Sequence, residues 1–152
     1  DLLDEKLRLA GISPERRAAE RERLNVSINA LIAWFNERRG RAAEVYREKR
    51  GELVIGDVVL SGVADRIEIA PNYAAILDFK TGAPPSDKQV ESGLSPQLLL
   101  EAAMLEEGAF PDVPKREVSE LIYWRFGGAD PTQRSVELES GVPAAAREAL
   151  AE

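Results

Sequence analysis

Residues 44–80 hold three runs of strand-forming character joined by links of only a few residues, and nothing else in the chain restricts its fold as much. The first run, 44–55, stops at Gly56-Asp57, a pair suited to a tight turn. The second, 58–69, alternates apolar with polar residues, and Pro71-Asn72 breaks it before a third run at 74–80. Links this short join antiparallel neighbours, because parallel strands need a crossover of about a dozen residues or more. A three-stranded meander is therefore expected.

Helical periodicity surrounds the meander. Ser13-Pro14-Glu15 predicts a helix start, with Ser as N-cap and Pro in the first turn. The helix should run over 14–39, with Leu24, Ile28, Leu31, Ile32 and Phe35 as its inward stripe and Arg38-Arg39-Gly40 as its end. Residues 81–93, with Gly82, Pro84, Pro85 and Gly93, read as loop. A helix over 94–107 follows, capped by Ser95-Pro96, with Leu98, Leu99, Ala102 and Leu105 facing inward. A fourth strand over 118–126 is closed by Gly127-Gly128, and an Ala-rich helix spans 143–151. The order predicts an α/β domain with a mixed central sheet flanked by helices. With 152 residues, 44% of them hydrophobic, a single domain with one core is expected. Its helical N-terminal region covers 1–40, its core 41–126, and a tail with a short helix 127–152.

Composition removes several function classes. The chain has no Cys and no His, which excludes thiol nucleophiles, disulfides, Cys/His zinc sites, imidazole bases and an iron–sulfur cluster within it. A bound metal must be held by oxygen, which favours Mg²⁺, Mn²⁺ or Ca²⁺. No apolar run approaches the ~20 residues that span a bilayer. The acidic opening, without Met or a basic stretch, suggests a piece of a longer cytoplasmic protein rather than a signal peptide. The net charge of −7 is unevenly placed: residues 1–50 carry 12 Lys/Arg against 9 Asp/Glu, and the remainder 8 against 18. An acidic total argues against a dedicated nucleic-acid binder, unless the basic first third or a partner supplies the cations.

Two segments place acids inside apolar strands, 62–68 (GVADRIE) and 76–82 (ILDFKTG). A carboxylate among Val, Ile and Leu is costly unless a cation or metal pairs with it. Asp78 and Lys80 are two apart on a strand, so both leave the same face with Cα atoms roughly 6.5–7 Å apart. The hairpin should bring Asp65 beside Asp78, and two such carboxylates repel unless a divalent ion lies between them. An ion there would bind a phosphate oxygen and lower the pKa of a water.

GVADRIE, ILDFKTG and SPQLLLEA (95–102), in that order, resemble the RecB-like branch of the PD-(D/E)XK nucleases, nearest the C-terminal nuclease domain of AddB in the AddAB helicase–nuclease. The resemblance implies a restriction-endonuclease-like core. It makes Asp65 and Asp78 metal ligands together with the Phe79 backbone carbonyl, and Lys80 the catalytic lysine. Gln97 matches the glutamine that positions DNA or the scissile phosphate. Glu44 takes the place of the upstream acid, with Glu48 and Glu52 as weaker rivals. Three departures stand out: no upstream histidine, no cysteines for an iron–sulfur cluster, and Glu101 where a tyrosine is usual.

The expectation is a Mg²⁺- or Mn²⁺-dependent DNA exonuclease-type hydrolase in bacterial double-strand-break repair and recombination. Its partners would be DNA and an AddA-like helicase–nuclease subunit, with no membrane involved. Arg38, Arg39, Arg41, Arg47, Lys49 and Arg50 are candidates for phosphate contact, and Arg66 for an ion pair. One alternative is a non-catalytic module of the same fold that holds DNA or a helicase partner. Another is a protein-interaction domain docking through the helix over 14–39.

Overall fold

A computed structural model describes residues 2–126, 132–138 and 140–151. Helices α1 (Leu2–Leu9) and α2 (Pro14–Arg38) lead into strands β1 (Glu44–Ile55), β2 (Val58–Ala70) and β3 (Tyr73–Lys80). Helices α3 (Asp87–Glu91) and α4 (Gln97–Glu107) follow, then β4 (Glu120–Arg125), β5 (Thr132–Ser135) and α5 (Val142–Ala151). The expected mixed sheet is present, in the order β1-β2-β3-β4-β5. Neighbours are antiparallel except β3 and β4, which run parallel. That parallel step needs a long connection, and α3 and α4 supply it.

The two faces of the sheet are covered unequally. On one, Ile67, Ile69, Ala74, Ile76 and Leu121 pack against Leu98, Ala102, Met104 and Leu105 of α4 and Ala145 and Ala146 of α5. On the other, Ala75, Leu77 and Ile122 meet Trp34, Phe35 and Tyr73. The apolar stripe expected on α2 is only partly used, since Ile28 is 39% and Ile32 51% exposed. The helix instead meets the sheet through its last two turns, where Trp34, Phe35 and the buried Arg38 lie.

Several boundaries differ from expectation for local reasons. The segment 81–93 contains α3, whose N-terminus is a capping box: Ser86 Oγ accepts from the Gln89 N–H and Gln89 Oε1 accepts from the Ser86 N–H. Helix α4 starts at Gln97 with Pro96 as N-cap, leaving Leu94 exposed before it. It ends at Gly108, whose φ of +78° suits a residue without a Cβ. Gly51 allows close approach: an added Cβ would lie 2.7 Å from the Phe110 ring. Strand β4 is shorter than 118–126, and the expected stop at Gly127-Gly128 lies outside the described residues. Among the described residues, no helix is long and apolar enough to cross a membrane.

Candidate active site

Strands β2 and β3 pair in a register that sets Arg66 opposite Leu77 as their last partners. One step further, Asp65 is level with Asp78, as the hairpin argument expects. Asp65 Oδ2 accepts a hydrogen bond from the Phe79 N–H at 2.9 Å, so this carboxylate is tied to the backbone between Asp78 and Lys80.

An irregularity in the sheet places Asp65. Tyr46 and Leu53 on β1 pack on the same core, as do Ala64 and Ile67 on β2. Strict alternation would send residues an odd number apart to opposite faces. Both strands shift at one level, where Glu48 and Asp65 face each other unpaired between the pairs Arg47–Arg66 and Lys49–Ala64. Glu48 has a φ of +48°, uncommon for a residue with a side chain. Such a local departure from the regular pleat re-aims side chains. Glu48 and Asp65 line a cavity of about 620 Å³ with Phe35, Arg47, Arg66 and Phe79.

Asp78 is 4% exposed, and its oxygens face a dense set of partners. Gln97, first residue of α4, donates through Nε2 to Asp78 Oδ1 at 2.9 Å and to Glu101 Oε1 at 3.1 Å. Its Oε1 accepts from Lys80 Nζ at 3.1 Å. Lys80 Nζ also stands 2.9 Å from Asp78 Oδ2, an ion pair without hydrogen-bond alignment. Gln97 is therefore the brace that joins the Asp78–Lys80 pair to helix α4.

Burial pushes the Asp78 carboxyl above its ordinary pKa; Lys80 opposes that shift and the Asp65 charge adds to it. Glu101, also 4% exposed, is pushed up to about 7, first by burial and then by the charges of Asp78 and Asp65. Tyr123, opposite Asp78 on β4, is raised to about 12 by burial and by the Asp78 charge. Among the described residues, neither Asp78 Oδ2 nor Glu101 Oε2, both buried, accepts a hydrogen bond.

Carboxylate oxygens of this kind could hold a hard divalent cation. Mg²⁺ commonly rests on one or two carboxylates and completes its shell with water and phosphate. Asp65 and Asp78 are the residues that could hold one. Among the described residues, no group of three or more acids is gathered as a ready-made cage.

The structure thus brings Asp65, Asp78, Lys80 and Gln97 together, and does not bring Glu44. Glu44 opens β1 opposite Ile69, four residues along β2 from Asp65, roughly 13 Å away at the rise of a strand. It accepts a hydrogen bond from the Tyr46 hydroxyl and is exposed. The acid that β1 places opposite Asp65 is Glu48. A positive φ within a strand has no signature in side-chain type, so the spacing alone did not favour it. Glu101 carries a visible signal, standing four residues after Gln97 on the same helix face.

The basic residues sort themselves by partner. Arg38 is 7% exposed and donates to Glu68 at 3.0 Å, to Glu120 at 3.1 Å and to the Tyr73 hydroxyl, so it is structural and not available to phosphate. Arg66 pairs with Glu68 at 2.9 Å and lies over the Phe35 ring, which makes it the ion-pair residue expected. Arg50 pairs with Glu52, and Lys49 lies over the Tyr46 ring. Arg39 and Arg47 are exposed with no ion pair among the described residues.

Comparisons with known proteins extend this picture. An uncharacterised protein of Rickettsia felis is 44% identical over 58% of this chain and 11% of its own length. Uncharacterised proteins of Rickettsia conorii and Rickettsia typhi are 45% and 46% identical over the same shares. The chain accordingly spans about a tenth of the length of these relatives. The crystal structure of SSO0001 aligns with 97% of this chain and 65% of its own, at 14% identity and a TM-score of 0.40. The model of the PD-(D/E)XK nuclease superfamily matches residues 1–152. That match takes in both acid-bearing strands, the helix that braces them and everything around them, and the chain belongs to the PD-(D/E)XK nuclease superfamily.

Proposed function

We propose that this chain is the nuclease portion of a divalent-metal-dependent deoxyribonuclease of the RecB-like, AddB-type branch. It would act in the bacterial cytoplasm in double-strand-break repair and recombination, beside a helicase–nuclease partner subunit of the AddA type. The observation that carries the reading is the placement of Asp65 and Asp78 at one level of adjacent strands, with Lys80 Nζ 2.9 Å from Asp78. The order of the three motifs supports the branch, and superfamily membership supports the chemistry.

Asp65, Asp78 and the Phe79 carbonyl would hold Mg²⁺ or Mn²⁺. Bound there, the ion supplies positive charge to a phosphodiester and lowers the pKa of a water molecule. In the hydrolysis, a water oxygen forms a new bond to phosphorus, and the bond to the leaving deoxyribose oxygen breaks as that oxygen gains a proton. Lys80 offers a positive charge to the phosphoryl group at the end of β3. Gln97 holds the carboxylate and the amine in fixed relation, which keeps the reorganisation small.

The test is a thermal shift with Mg²⁺ and with Mn²⁺, followed by cleavage of end-labelled single-stranded DNA. Metal should raise the melting temperature of the wild type, and Asp78→Asn should abolish both the rise and the cleavage. The lack of any histidine in the chain and its net charge of −7 favour a second reading, a non-catalytic module of the same fold. Indifference to metal together with no cleavage would select it.

A further inference from the structure

Two cavities open between the C-terminal half of α2 and strands β1 and β2, and they share walls. The cavity of about 620 Å³ contains Asp65 and Glu48. The second, of about 420 Å³, is lined by Ile32, Arg38, Arg39, Gly40 and Val45 among others. Phe35, Arg47 and Arg66 line both, so a single groove leads from Asp65 along β1 to the end of α2. From Glu48 to Val45 the strand rises roughly 10 Å.

Charge changes sign along this groove. At the Asp65 end, two carboxylates repel phosphate unless a cation intervenes. Further along, Glu68 neutralises much of Arg38 and Arg66, while Arg39 and Arg47 remain exposed with no ion pair among the described residues. The wall between them is aromatic. Phe79 stands at the Asp65 end, and the Arg66 guanidinium stacks on Phe35 at 4.2 Å from its centroid. Guanidinium planes and aromatic rings are surfaces on which unpaired bases stack, and exposed arginines beside them suit backbone phosphates. A net charge of −7 makes this local reversal of sign the more telling.

We infer that the groove carries the nucleic-acid strand that continues from the reacting phosphodiester, with Arg47 and Arg39 as phosphate ligands and the Phe79–Arg66–Phe35 wall as the stacking surface for a base. The inference rests on the proposed nuclease reading and adds the path of the strand. Arg39 and Arg47 are specificity-neutral contacts: they hold phosphate and read no base.

Binding can be measured apart from cleavage. Asp78→Asn protein in EDTA is titrated with fluorescein-labelled oligothymidylate and its RNA counterpart, oligouridylate, over a series of salt concentrations. A single strand loses affinity with a log–log slope of about −0.7 per phosphate contact, so adding Arg39→Gln and Arg47→Gln should flatten the slope by about 1.4. Both substitutions are at exposed positions, and circular dichroism checks that the fold is kept. A photoactivatable 5-iodouracil oligonucleotide should crosslink to Phe35 or Phe79. An unchanged slope, or crosslinks confined to other surfaces, would overturn the groove. If wild-type protein with Mn²⁺ still cleaves DNA in that case, the nuclease reading survives without it. A flattened slope with no cleavage by wild type in either metal would do the opposite. Binding of oligothymidylate at least as tight as that of oligouridylate supports the groove as the path of a DNA strand, and a clear preference for oligouridylate would overturn it.

Discussion

Glu101 is where burial and charge conflict most sharply. It sits on α4 facing Asp78 and Asp65, with one oxygen accepting from Gln97 and the other buried without a partner. Its pKa of about 7 lies above that of a carboxyl in the unfolded chain. A carboxyl raised on folding contributes full stability below the ordinary carboxylate range, and that contribution is lost as pH climbs through the folded value. In metal-free protein, Glu101→Gln should therefore be more stable than wild type by roughly 3 kcal/mol at pH 8 and by about 1 kcal/mol or less at pH 5. Urea titrations of both proteins across that range check it, and a difference independent of pH would show that Glu101 ionises normally. At this scale the sequence revealed what two-residue periodicity can reveal, the common face of Asp78 and Lys80. It did not reveal the juxtaposition of Asp65 with Glu48, because the local break in alternation and the positive φ of Glu48 belong to the backbone of two strands rather than to any one residue type.

Among the elements, the meander was the most legible region: expected runs at 44–55, 58–69 and 74–80 meet observed strands that differ by at most one residue at each end. Turn chemistry at Gly56-Asp57 and Pro71-Asn72 is local, so sequence carries it. Strand β5 has four residues and takes its place only by pairing with β4, and α1 and α3 are too short for periodicity to mark. The attachment of α2 was hidden for a different reason, since it relies on a buried ion cluster. Arg38 joins Glu68 on β2, Glu120 on β4 and Tyr73 on β3, and its guanidinium lies 4.7 Å from the Trp34 ring. Burial pushes the Glu120 carboxyl up, but its bonds to Tyr73 and Arg38 outweigh that and hold it below its ordinary value. Removing one partner from a buried pair leaves an uncompensated charge and costs about 3–5 kcal/mol. Arg38→Ala should show a loss of that size in urea unfolding. A loss below about 1 kcal/mol would mean the cluster behaves like an exposed pair.

Taken over the whole molecule, the sheet divides a thick layer from a thin one. Helices α4 and α5 close a continuous core on one face, whereas α2 covers the other through Trp34, Phe35 and the Arg38 cluster, with Ile28 and Ile32 exposed. Regions with few buried apolar contacts open at lower free energy than the core. Amide hydrogen exchange should accordingly show α1 and the first half of α2 exchanging fastest among the helices of eight residues or more, the end of α2 at an intermediate rate, and β2, β3 and α4 slowest. Arg38→Ala should accelerate exchange in α2, and in α4 by no more than its loss of global stability, with the α2 amides still the faster of the two because their layer opens without the other. The proposed strand groove lies between α2 and the sheet, so its width is tied to that same thin layer. Equal exchange free energies in α2 and α4 would mean that the two layers unfold as one unit, and that α2 has no independent opening with which to admit a strand.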